Sequence, residues 1–309
     1  MFVPLAEVTA AFPWFFPVVA FLVGACVGSF LNVVIYRVPK DESIITPGSH
    51  CGCGQPIKFY DNIPVISWLA LRGRARCCGR AFSFRYPFVE LLTGLLFVVC
   101  WLHLSPGGSF SPALVLCGWI FISCLIAATF IDLDHMIIPD VFTLGLGVVG
   151  VLLSFVVPSL HGHHSDFFLG DSLRAGVASL LGLLVGSGLV LWIALLAEVA
   201  LKKEAMGFGD VKFVGAIGAF CGWQGAAFAV FGGACVGTVW VSLAWIWQKI
   251  SGKPALVAPP SETPEGEPVS LGFGAHVPFG PMLAIAAALY FLFFRSWVSA
   301  WFADVAVLF

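Results

Sequence analysis

The chain has 309 residues, 60% of them hydrophobic and only 10% charged, with mean hydropathy +0.99 and net charge −2. Soluble domains carry about 25% charged residues, so this balance excludes a water-soluble particle and leaves a polytopic membrane protein. The net charge says nothing about nucleic acid, because the placement of the charges is what matters; no nucleic-acid partner is expected.

Apolar stretches of about 20 residues cross a bilayer. Eight are read here: 14–36, 88–104, 113–131, 141–157, 173–201, 213–224, 226–248 and 278–295. The sixth is short and Gly-rich (Gly215, Gly218, Gly222, Gly225), so its boundary with the seventh is the least defined. The expected fold is an all-α polytopic membrane protein of about eight transmembrane helices, with a small Cys-rich insert after the first. Lys and Arg fix the orientation. Except for Arg174 and Arg295, both at span ends, the cations fall in loops on one side, which is therefore cytoplasmic. No cation precedes Arg37, so the first span is read as a retained helix with its N-terminus outside.

The first span ends in Gly28-Ser29-Phe30-Leu31-Asn32, whose polar residues suit hydrogen bonds between helices. Residues 37–87 follow as a basic, turn-rich insert with little apolar core, so a metal would help it fold. Cys51-Gly52-Cys53 and Cys77-Cys78 bracket it, and four thiolates suit tetrahedral Zn²⁺. A thiol cluster without metal, or a site completed by His50, is the rival reading. A disulfide is disfavoured on a cytoplasmic loop. The other six cysteines lie in apolar runs and read as packing. Glu90, at the start of the second span, is an acid at the membrane edge, read as a contributor to substrate binding or methyl transfer.

Two further acid motifs stand at span ends. Ile131-Asp132-Leu133-Asp134-His135-Met136-Ile137-Ile138-Pro139-Asp140 follows the third span, and Gly207-Phe208-Gly209-Asp210 follows the fifth. Acids at such positions mark function. Both open to the cytoplasmic side, which suggests a carboxylate dyad. One member would be ionised to activate water and the other protonated to donate to a carbonyl oxygen. The glycines at 207 and 209 would allow close backbone approach and dihedrals closed to other residues. Asp140 reads as the N-cap of the next span. Lys212 reads as a contact to substrate or headgroups, or as a positive-inside anchor. His161, His163, His164 and Asp166 crowd an outward loop, better read as solvated than as a metal site. Residues 252–275 are rich in Pro, Glu and Ser and are expected to be flexible.

Taken together, these motifs resemble the type IV prepilin leader peptidases, a family of GxGD aspartyl proteases. The resemblance is carried by Gly28–Arg37, Asn62–Leu69, Arg85–Glu90, Ile131–Asp140, Gly207–Lys212 and Pro278-Phe279-Gly280-Pro281, in the expected order. It implies that residues 88–309 form the protease membrane domain, after a first helix at 1–36 and the insert. It makes Asp132, placed seven residues before Pro139, the first catalytic acid in preference to Asp134, and Asp210 the second. Gly207, Gly209, Pro139, Lys212 and Glu90 would support them. The family's insert carries two Cys-x-x-Cys pairs, and this chain departs from that pattern in both. The implied activity is cleavage of the basic leader of prepilins and pseudopilins after a glycine, at the cytoplasmic face of the bacterial inner membrane. N-methylation of the new terminus with S-adenosylmethionine would follow. A metal-sensing or ion-transporting membrane protein is the alternative class.

Overall fold

The computed structural model describes residues 7, 9, 11–104, 111–165, 167–202, 206–251 and 278–306; the loop expected at 252–275 and Asp166 lie outside them. Among the described residues the regular structure is helical, with two isolated β-bridges and no strand. The chain divides into two compact units, Met1–Ala127 and Ala128–Phe309.

In unit 1, α1 (Phe15–Arg37) packs along α3 (Arg85–Leu104), with the short α2 (Ile66–Ala70) between them in sequence. Small residues let the two long helices touch. A Cβ on Gly24 would lie 2.8 Å from the Gly94 Cα, and one on Gly28 2.7 Å from the Glu90 Cα. Close backbone approach of this kind drives helix association in lipid, where no hydrophobic effect is available. The seam is also hydrogen-bonded: Asn32 Nδ2 donates to the Tyr86 carbonyl at 3.1 Å. Arg37 is buried and donates to the carbonyls of Ser43 and Pro47, turning the chain into the insert.

α4 (Pro112–His135) crosses the division between the units and delivers its last turn to unit 2. There follow α5 (Val141–Val156), α6 (Phe168–Leu201), α7 (Phe208–Ser251) and α8 (Gly280–Val305). Six helices are long and apolar enough to cross a membrane, and Val141–Val156 is a shorter apolar helix. The remaining difference from the expected eight spans lies in α7. Its 44 residues would reach about 66 Å if straight, twice the hydrocarbon core. Gly222, at φ 71° and ψ 177°, breaks it. The chain folds back there: a Cβ on Gly186 of α6 would touch both the Val214 carbonyl (2.8 Å) and the Ala226 Cβ (3.0 Å). Those two residues would stand about 18 Å apart along an unbroken helix. From Phe213 to the break the arm is apolar or glycine on every face and enclosed, with Phe213, Ile217 and Phe220 fully buried. Gly182 and Gly218 make its crossing with α6, each leaving no room for a Cβ against the other's carbonyl. Arg295, expected at the end of the last span, lies inside α8, which continues to Val305.

Candidate active site

α4 ends in a run that must leave the helix abruptly. Met136 adopts φ 54° while its N–H still bonds the Asp132 carbonyl. Ile137–Pro139 then continues without helical structure, and Pro139 accepts the Phe142 N–H where α5 begins with a π-helical turn, Val141–Gly145. This geometry separates the two acids of the first motif. Asp132 is buried, 6% exposed, whereas Asp134 is exposed. The Asp132 Oδ2 accepts the Gly280 N–H at 3.0 Å, at the first turn of α8. A Cβ on Gly280 would sit 2.6 Å from that oxygen and 3.0 Å from the Ile138 Cδ1, so only glycine fits.

The second motif starts α7. The Asp210 N–H bonds the Gly207 carbonyl, and Asp210 is half-buried. Gly209 lies beside Ile138, whose Cβ would be 3.8 Å from a Cβ on the glycine. Ile138 thus lies between the backbones of Gly209 and Gly280. Ile138 therefore relates the two motifs: it meets Gly280 beside the Asp132 carboxylate, and it meets Gly209, the residue before Asp210. The expected special dihedrals are absent, since neither Gly207 nor Gly209 has a positive φ. Gly209 is in ordinary contact with Ile138, and Gly207 borders open space, its nearest neighbour being the Gly209 nitrogen at 4.0 Å. Beside it runs a groove of about 320 Å³ lined by Leu191, Leu195, Glu198, Met206, Gly207 and Phe208.

Asp140 occupies the N-cap position of α5 but bonds no backbone amide there. Its carboxylate instead pairs with Lys212 Nζ at 2.7 Å, and the ammonium lies 5.4 Å from the centre of the Phe208 ring. This contact corrects the capping role. A cation one turn into α7 is the stronger partner for an exposed carboxylate, and it holds the Asp140 carboxyl below its ordinary range. Gly280 was not among the expected supporting residues; the only sign of it was the Pro-Phe-Gly-Pro run to which it belongs.

In unit 1 the four insert cysteines converge. The Cys51 and Cys78 sulfurs are 3.5 Å apart and those of Cys53 and Cys77 3.4 Å, and all four lie within 4.8 Å of one another. Each pair is carried by a tight turn, closed by the bridges His50–Pro56 and Arg74–Ala81 and by Gly54 and Gly79 at positive φ. These turns bring the shortened pairs together despite their spacing. Zn–S bonds of about 2.3 Å place tetrahedral sulfurs about 3.8 Å apart, so the quartet fits one ion. Its hydrogen bonds divide the thiols. The Cys53 amide brings Cys51 down to about 7, while bonding to the Cys53 sulfur pushes Cys77 up to about 12. His50 turns away, its Nδ1 3.1 Å from the Gly48 carbonyl.

The outward histidine loop is not simply solvated. His161 Nε2 lies 3.0 Å from the Ser154 Oγ and 3.2 Å from the Ala219 carbonyl, and burial lowers its pKa to about 4. Among the described residues, the cysteine quartet is the one group that could hold a metal.

Comparison with known proteins places the sequence clearly. The family model described as "Bacterial Peptidase A24 N-terminal domain" matches residues 22–104, and "Type IV leader peptidase family" matches 119–242. The chain is 35% identical to a prepilin leader peptidase/N-methyltransferase of Myxococcus xanthus (strain DK1622), over 95% of each chain. It is likewise 35% identical to one of Aeromonas salmonicida (strain A449), covering 96% of this chain and 97% of the relative. A type 4 prepilin-like proteins leader peptide-processing enzyme of Escherichia coli O78:H11 (strain H10407 / ETEC) is 37% identical, over 71% of this chain and 81% of the relative. No solved structure matches.

Proposed function

The chain belongs to the type IV leader peptidase family, and from that premise we propose that it is an aspartic prepilin peptidase whose dyad is Asp132 and Asp210. What supports this reading is that two acids 78 positions apart in sequence (210 − 132) border the same side chain, Ile138, one through Gly280 and the other through Gly209. Two carboxylates that share one water do not both ionise. The Gly280 N–H and the positive end of α8 favour negative charge on Asp132, which makes Asp132 the base and Asp210 the acid of the first step. The base takes a proton from water, the resulting hydroxide adds to the scissile carbonyl carbon, and the acid donates to its oxygen. The C–N bond then breaks as the amine nitrogen receives the proton held by the base. An extended leader would lie in the groove beside Gly207, with Glu198 offering a carboxylate to its cationic side chains.

The substrates are prepilins and pseudopilins. The site opens at the cytoplasmic face of the bacterial inner membrane, with lipid around the apolar helices. Cys51, Cys53, Cys77 and Cys78 would hold a structural Zn²⁺, which supplies the insert with the core it lacks. The second activity is N-methylation of the new terminus, with S-adenosylmethionine as methyl donor. In the test, purified wild-type, Asp132→Asn and Asp210→Asn proteins in detergent are incubated with a prepilin, and leader removal is followed by gel shift. Wild type cleaves and both variants fail. Cleavage by either variant at the wild-type rate refutes the dyad, and a wild type that never cleaves leaves the ion-transporting alternative.

A further inference from the structure

Glu90, which the resemblance made a support for the two acids, is a buried acid of unit 1 whose described contacts are Val65 and Ser29, so it is no part of the machinery around Asp132 and Asp210. Its side chain, on α3, is 9% exposed. Oε2 accepts the Val65 N–H at 2.7 Å, and Ser29 of α1 stands near the same carboxylate. Both partners are neutral. Among the described residues, no charged side chain acts on the Glu90 carboxylate. A carboxylate has about four acceptor positions, and the Val65 N–H occupies one. Burying a charge without a counter-charge is strongly unfavourable, so this arrangement fits a cation that donates hydrogen bonds.

The backbone beside it points the same way. Val65 sits at φ 62° and ψ −49°, where a β-branched residue is strained. Strain of that kind collects at functional sites. Gly28 lets α1 approach the Glu90 and Thr93 positions of α3 closely, so the seam beside the carboxylate is polar.

We propose that Glu90 binds the α-amine freed by leader removal and acts as its base in methyl transfer. This rests on the methyltransferase reading above. Both reactants of that reaction carry an ammonium group, but the freed terminus is the one whose nitrogen must lose a proton before it can be methylated. Glu90 takes one ammonium proton. The nitrogen lone pair then forms a bond to the donor methyl carbon while the C–S electrons return to sulfur. The product is a secondary ammonium, and the proton on Glu90 passes to solvent.

The rival role is a latch that pins Val65, and Glu90→Gln separates the two. Its amide oxygen still accepts the Val65 N–H but takes no proton. Cleavage of a prepilin, labelled-methyl incorporation from S-adenosylmethionine and protease resistance of the insert are measured on the same preparation. The expected result is cleavage within about twofold of wild type, an intact insert, and methylation reduced by about 10²-fold or more. Part of that loss should recover above about pH 8, where a free α-amine is already neutral. Methylation at the wild-type level, or loss of cleavage, methylation and protease resistance together, overturns the proposal. A wild type that cleaves but never methylates removes the methyltransferase reading and this inference with it.

Discussion

Residues 50–81 and the acid site of unit 2 are held in register by different means. In the insert the buried hydrophobic side chains are Cys51 and Ala75, and the two turns meet through four sulfurs. At the acid site, backbone meets side chain: Gly280 donates to Asp132, and Ile138 fills the space that glycine leaves open at 280. The first arrangement depends on a ligand set, because too little apolar surface is buried to fold it otherwise. The second depends on enclosed helices that fix their termini, and it needs no ion to bring its parts together. A perturbation that loosens one region should therefore leave the other intact.

The largest expected effect is on the insert. Removing zinc with a strong chelator, or substituting Cys51→Ser, should expose residues 50–81 to protease, because metal binding and folding are one process in such modules. Metal content by elemental analysis should fall from one equivalent to none. The sign with pH follows from the ligands: protons compete with metal for thiolates, so resistance is present at neutral pH and lost as pH falls. An insert that stays protected after complete zinc removal would show that its turns need no metal. Leader cleavage by unit 2 should change far less than protection of the insert.

The next effect lies in the dyad. Asp132→Asn and Asp210→Asn should each lower kcat by about 10²–10⁴-fold, the range of general acid–base catalysis. Asp134→Asn, at the exposed neighbour, should stay near wild type. Equal losses at 132 and 134 would mean that burial does not select the acid.

Much of this arrangement was legible from residues alone. Low charge and long apolar runs gave the all-α class, and the two acids and four cysteines stood out because lipid and small inserts tolerate such residues only for a reason. The parts that were not legible depend on contacts made late in the fold. The Gly280–Asp132 bond joins residues 148 apart, and no local pattern encodes such a pairing. Glycines 207 and 209 looked like dihedral devices, but neither has unusual backbone, and a Cβ on Gly209 would make only ordinary contact with Ile138. The span count was blurred because an enclosed apolar arm such as 208–221 has the composition of a membrane span without the length. Asp140 matched a capping pattern, yet the lysine that takes its charge lies 72 positions away.

Gly280→Ala should come third. The added methyl would stand 2.6 Å from the Asp132 Oδ2, so carboxylate or helix must shift. Misplacement by about 1 Å can lower a rate by about 10²-fold, and a loss of roughly 10- to 10²-fold in kcat with little change in KM is expected. An equal rise in KM would indicate a substrate contact instead. Protection of the insert should be unaffected.

The smallest effect is expected at the Lys212–Asp140 pair, although it joins the two acid motifs directly. Its carboxylate is largely exposed, with 63% of the Asp140 side chain accessible, and exposed pairs contribute little. Lys212→Met or Asp140→Asn should lower kcat/KM by about two- to fivefold. The loss should shrink as salt is raised, because screening weakens exposed pairs. The exchange Asp140→Lys with Lys212→Asp reads the pair itself: recovery beyond the sum of the single changes shows that the ion pair sets the register of α7 against the Ile138 segment. If Lys212→Met alone removes cleavage while Asp140→Asn does nothing, the lysine acts on substrate, and the register is held by Ile138 and the two glycines without it.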